Sequence, residues 1–101
     1  MTPSIIQPES DHECYFCLTT KRLFTHHCLH GTSNRKKADK DGLTVKLCLM
    51  CHTALHDHGT GDYQLMKLAQ VKWMKHYGKT EKDFIDRYGK SYLHIGEPYG
   101  T

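Results

Sequence analysis

The sequence predicts a small α+β domain in which a β-hairpin and a helix are stapled together by a metal and followed by two further helices. Three observations predict it. Two Cys-x-x-Cys pairs, Cys14/Cys17 and Cys48/Cys51, have ligand rather than disulfide spacing. Two short β-prone runs, Lys21–His27 and Leu43–Leu47, lie between those pairs. From Leu49 onward, apolar residues recur at helical spacing and are punctuated by glycines. A chain of 101 residues, 38% of them hydrophobic, supports one modest core, and a core of that size usually needs a staple. Five cysteines and nine histidines are a heavy load for this length, so the cysteines read as reduced and metal-bound.

The elements follow in order. Residues 1–12, with Pro3 and Pro8 and no periodicity, read as an extended or mobile arm without chemistry, His12 being a solvated residue ahead of the first knuckle. Residues 13–60 read as the metal-stapled core, and residues 61–101 as a helical extension packed on it within one domain. Cys14–Cys17 makes a tight turn. Lys21–His27 alternates well enough for a strand, with Leu23 and Thr25 facing one way and Phe24 and His26 the other. Gly31–Gly42 has almost no apolar content and reads as a polar loop. Leu43–Leu47 then pairs back on the first strand as a long-looped hairpin.

Leu49–His58 reads as a helix stopped by Gly59 and Gly61. A second helix, Asp62–His76, carries Leu65, Leu68, Ala69, Lys72 and Trp73 along one stripe and ends at Gly78. The third begins at Thr80 as N-cap with Asp83 in the capping-box position. It buries Phe84, Ile85 and Tyr88 and stops at Gly89. Residues 91–101 are aromatic and rich in Gly and Pro. Trp73, Phe84, Tyr88 and Tyr92 read as core against the zinc module rather than as base-stacking residues.

A formal charge of +3 is mildly basic and permits a polyanionic partner without identifying one. No apolar run approaches the roughly 20 residues of a membrane span. The first residues also lack the basic and apolar stretches of a secretory signal. The expectation is a soluble, cytoplasmic protein with no membrane partner.

Four cysteines in two knuckles brought together by a hairpin form the closed tetrahedral shell of a structural Zn²⁺: Cys14, Cys17, Cys48 and Cys51. Metal binding of this kind is folding energy. Cys28 reads as a half-buried small hydrophobe on the strand rather than a fifth ligand. Directly after the second knuckle, His52 and His56 fall on one face of a helix, the spacing of a metal clamp. His26 and His27 are adjacent on a strand, so their imidazoles leave on opposite faces and one can bind metal while the other acts from another side. Three ligand nitrogens plus one free base suit phosphodiester hydrolysis, which needs a cation on the phosphate and a base on the attacking water. Arg35, Lys36 and Lys37, with Lys40, read as phosphate contacts beside that site, the alternative being a solvated loop. His30 either touches the ligand set or is a solvated loop residue.

The run CYFC, THHC, LTVKLCLMCH and TALH, over about residues 14–58, resembles the HNH nucleases. The resemblance implies a ββα-metal, treble-clef core in which His26, His52 and His56 hold a catalytic divalent cation and His27 is the general base. It implies Mg²⁺ or Mn²⁺ there, although a three-imidazole shell also suits Zn²⁺ or Ni²⁺. A narrower similarity, carried by HHCLHGTSNRKKADKDGLTVKLC and DFIDRYGKSYL, is to small phage proteins related to recombination-enhancement HNH nucleases. That similarity implies phage or prophage origin, DNA as substrate and a link to a recombinase partner. One departure stands out. The central Asn of the pattern would fall near Leu43, where Gly42 and Leu43 stand instead, leaving Asn34 as the nearby candidate to brace the loop. The expectation is a loop held differently or a slow enzyme. The rival reading is a non-catalytic zinc-containing module that binds nucleic acid, which accounts for the cysteines and the basic run but not for the four histidines.

Overall fold

The computed structural model describes residues 3–7 and 12–93. The expectations placed on residues 1–2, 8–11 and 94–101 lie outside the described residues. The element order is β1 (Leu23–His27), α1 (Thr32–Asp41), β2 (Thr44–Cys48), α2 (Leu49–His58), α3 (Asp62–Tyr77) and α4 (Glu81–Tyr88). This is the expected α+β architecture of one antiparallel hairpin with helices, but with four helices among the described residues rather than three.

The additional helix is α1, in the stretch expected to be a polar loop. Arg35, Lys36, Lys37, Ala38 and Lys40 are strong helix formers, and Gly42 closes the element in the left-handed conformation, φ +78°, with its amide on the Ala38 carbonyl. The helix buries Ala38 alone, so it has no apolar stripe to betray it. It is docked by polar groups instead. Asn34 Nδ2 donates to the Tyr88 carbonyl at 3.1 Å and Lys37 Nζ to the Arg87 carbonyl at 2.7 Å. The Asp41 carboxylate receives Arg87 Nε at 2.6 Å and Nη2 at 2.9 Å, Trp73 Nε1 at 2.8 Å and Tyr88 Oη at 2.6 Å.

The hairpin register pairs Phe24 with Leu47, His26 with Val45 and His27 with Thr44. β1 starts at Leu23 rather than Lys21, because Arg22 sits at φ +53° and breaks the strand there. Cys48 ends β2 and is also the N-cap of α2, its sulfur accepting the Cys51 amide. Strand and helix therefore follow each other without a linker.

Residues 3–7 are not a free arm. The Ile5 amide bonds to the Gly42 carbonyl at 2.9 Å, and Ser4 Oγ donates to the Thr44 carbonyl. Gln7 accepts the Lys46 amide at 2.8 Å and donates to the Glu13 carbonyl at 2.7 Å. The Tyr15 amide meets the Lys46 carbonyl at 2.8 Å, so a side chain and a knuckle together satisfy the free edge of β2. Gly42 is required where it stands: a Cβ there would meet the Pro3 carbonyl oxygen at 2.5 Å.

The core is one apolar cluster. Leu29, Leu43, Val45 and Leu47 of the hairpin region meet Leu55, Leu65, Ala69, Trp73, Phe84, Tyr88 and Tyr92. Trp73 packs edge-on against Phe84, with ring centroids 5.4 Å apart. Ile85, expected inside, is exposed, as is Lys72, while Gln70 is fully buried and receives the Tyr92 amide at 2.6 Å. Cys28 is wholly rather than half buried, and burial pushes its thiol up. Thr80 and Asp83 form the expected capping box on α4. No helix among the described residues is long and apolar enough to cross a membrane.

Candidate metal centres

The first cluster is built by the two knuckles. The Cys14–Cys17 turn is closed by the Cys14 amide on the Thr19 carbonyl and by the Leu18 amide on the Cys14 carbonyl. β2 and the start of α2 present the other pair. All five cysteines are free thiols. The sulfurs of Cys14, Cys17, Cys48 and Cys51 lie within 4.8 Å of one another, with Cys17 and Cys48 at 3.5 Å. A tetrahedral zinc with bonds of about 2.3 Å needs sulfur separations of about 3.8 Å, so the four fit one ion. Burial alone would push the Cys14 thiol up, yet the amides of Cys17, Cys48 and Phe16 bring it down to about 6, and burial pushes Cys51 up. The four sulfurs are placed so that they could hold one metal ion such as zinc. Cys28 belongs to neither cluster.

The second cluster joins β1 to α2. The ring nitrogens of His26, His52 and His56 also lie within 4.8 Å of one another. His52 and His56 bring their Nε2 atoms to 3.0 Å across one helical turn. Phe24, on the same face of β1 as His26, stacks on the His52 ring with planes 14° apart. His26 is only 4% exposed, and its Nε2 is a buried polar atom without a hydrogen-bond partner. Such an atom is costly unless something else meets it. Burial first, then His52 and His56, pushes the His26 imidazole down to about 4, and the same two kinds of cause lower His52. Neutral rings with converging lone pairs suit a divalent cation.

His27 leaves β1 on the opposite face. Its Nε2 lies 3.5 Å from Asp39 Oδ1 of α1. Two cavities flank it: one of about 450 Å³ contains His26, His30, Gly31, Arg35, His52 and His56. The other is lined by Thr32, Arg35, Lys36 and Asp39. His27 and Arg35 line both. The neighbouring base candidate and the imidazole trio thus open onto adjoining spaces.

Of the remaining expected residues, His30 sits in the trio's cavity. Its Nε2 donates to the Asp62 carboxylate at 2.8 and 2.9 Å, and its ring lies 6.3 Å from that of His26. Arg35 and Lys36 face the cavity beside His27. Lys37 and Asn34 do not join the site, since the carbonyls of Arg87 and Tyr88 engage them. Near Leu43 the backbone itself is paired, with the Cys28 amide on the Leu43 carbonyl at 3.0 Å and the Leu43 amide on the Ala38 carbonyl at 2.8 Å. Phe24, Asp39 and Asp62 were not singled out from the sequence. Only Phe24 had a signal, its shared strand face with His26. The chain matches no protein-family model, no curated protein and no solved structure.

Proposed function

We propose that the protein is a metal-dependent DNA endonuclease of the HNH type, its hairpin and α2 forming a zinc-stapled ββα-metal core of treble-clef form. The single observation that carries the reading is the buried, unpartnered His26 Nε2 converging with His52 and His56, next to a second histidine on the opposite strand face. In this reading Cys14, Cys17, Cys48 and Cys51 hold a structural Zn²⁺, and His26, His52 and His56 hold the catalytic divalent cation, Mg²⁺ or Mn²⁺. Held by those three imidazoles, a divalent cation would supply Lewis-acid polarisation of the scissile phosphate and charge stabilisation for the departing 3′ oxygen.

The chain's own residues do the rest. His27 accepts a proton from the attacking water through one ring nitrogen, while Asp39 at 3.5 Å steadies the imidazole from the Nε2 side. Phe24 fixes the plane of His52, and the turn geometry of α2 fixes His56 against it. Arg35 and Lys36 contact phosphate without reading sequence. The resemblance to phage recombination-associated nucleases supports reading this activity as DNA processing alongside a recombinase.

Supercoiled plasmid incubated with the zinc-loaded protein and added Mg²⁺ or Mn²⁺ is expected to be nicked or linearised. His27→Ala should lose roughly 10²–10⁴-fold in rate while keeping its zinc and its circular dichroism. Intact plasmid in every lane would leave a non-catalytic zinc module. Cutting by His27→Ala at the wild-type rate would remove His27 from the base position.

A further inference from the structure

The register of the hairpin brings a lysine onto the strand face that carries His27. Side chains alternate along a strand, and directly paired residues share a face. The pairs Thr25 with Lys46 and His27 with Thr44 therefore place Lys46, Thr25 and His27 together, opposite Phe24 and His26. Two residues of strand, about 7 Å, separate Thr25 from His27. Thr25 also borders the imidazole cavity.

Lys46 is half-buried, and its Nζ donates to Thr25 Oγ1 at 2.5 Å. Among the described residues no carboxylate pairs with it, in contrast to Lys82 on Asp86 and Arg87 on Asp41. A neutral hydroxyl accepts one of the ammonium's hydrogens and leaves its charge uncompensated. The backbone beneath is fixed from two sides: the Lys46 amide donates to Gln7 Oε1 and its carbonyl accepts the Tyr15 amide, each at 2.8 Å. The ammonium is thus positioned in advance, with charge left over for an anion.

We propose that Lys46, steadied by Thr25, holds a backbone phosphate flanking the scissile one, so that a bound DNA strand runs along β1 from α1 past His27 to Thr25. Arg35 and Lys36 stand beside His27 where β1 leads towards α1, and Asp39 of that helix meets the His27 ring. Lys46 lies two residues back along the strand, so the phosphate over His27 has a cation on either side. The choice of DNA rests on the nuclease reading; the uncompensated ammonium does not. A lysine is a point charge with rotating donors. It therefore fixes the path of the strand and leaves sequence unselected.

The test reads binding of a fluorescent DNA duplex of arbitrary sequence by anisotropy, using the zinc-loaded protein without added Mg²⁺ or Mn²⁺ and sodium chloride from about 50 to 200 mM. Each phosphate contact contributes about 0.9 to the slope of log affinity against log salt. Lys46→Met keeps the buried stem and removes the charge, so the slope should fall by about 0.9 while the melting temperature holds. Lys46→Arg should keep the slope, and Lys82→Met, which removes a lysine already paired with Asp86, should leave it unchanged. An unchanged slope in Lys46→Met, or a slope lowered as far by Lys46→Arg or Lys82→Met, would overturn the contact. A slope that depends on Lys46, in a protein that leaves plasmid intact with Mg²⁺ or Mn²⁺, would support the contact and sink the nuclease reading. Plasmid cutting with an unchanged slope in Lys46→Met would do the reverse.

Discussion

At neutral pH His26 is a neutral ring held in a nearly closed pocket, pushed down to about 4 by burial and by the two imidazoles opposite. Its usefulness comes from the residues around it rather than from its own chemistry. Asp41 has the same character in the scaffold. One carboxylate, 13% exposed, collects the Arg87 guanidinium, the Trp73 indole and the Tyr88 hydroxyl, tying α1 to α3 and α4. Asp41→Ala leaves those donors unpaired and should cost about 2–4 kcal/mol, read as a lower denaturant midpoint with zinc content unchanged. His52 and His56 were legible from their place after Cys51, and His26 and His27 from being paired on a strand. Asp41, Asp39 and Asp62 were not, because a lone acid among polar neighbours carries no spacing that distinguishes a hub from a solvated residue.

Among the elements, α2, α3 and α4 were legible almost to the residue, since each has a glycine stop and α4 has a full capping box. Helix α1 was not. Its sequence has helix-forming residues but a single buried one, and hydrophobic periodicity cannot detect a helix docked by Asn34, Lys37 and Asp41. The packing of residues 3–7 was hidden for a related reason, because Ser4 and Gln7 act through single hydrogen bonds to β2. The cap of α4 gives a pH-dependent prediction. The Thr80 amide and hydroxyl hold the Asp83 carboxyl below its ordinary value. A group depressed in the folded state stabilises above the unfolded carboxyl pKa and stops doing so as pH falls through its folded one. The stability gap between wild type and Asp83→Ala should therefore be present at neutral pH and close on acidification, as followed by thermal melts across that range. A gap that widened in acid would contradict the cap's role.

At the scale of the whole molecule, a radius of gyration of 13.3 Å is that of a closely packed chain of this length. The two candidate metal clusters meet on α2, which carries Cys51 of one and His52 and His56 of the other, so the two are built together: Cys48 ends the strand, starts the helix and sets the turn on which His52 stands. A structural zinc of this type contributes about 10–16 kcal/mol, as much as the roughly 5–15 kcal/mol by which a domain is stable at all. Strong chelation at neutral pH should accordingly abolish the cooperative melt and most of the helical circular dichroism, and zinc alone should restore both. An unchanged melt after complete zinc removal would deny the staple.

The chemistry is tested most directly on a labelled duplex oligonucleotide with the zinc-loaded protein, in the presence and absence of Mn²⁺ or Mg²⁺. Departure of the 3′ oxygen predicts metal-dependent fragments with 5′-phosphate and 3′-hydroxyl ends that ligase rejoins, and their loss in both His27→Ala and His26→Ala. Duplex that stays whole at every metal concentration, in a protein shown to be folded and to carry its zinc, would contradict it.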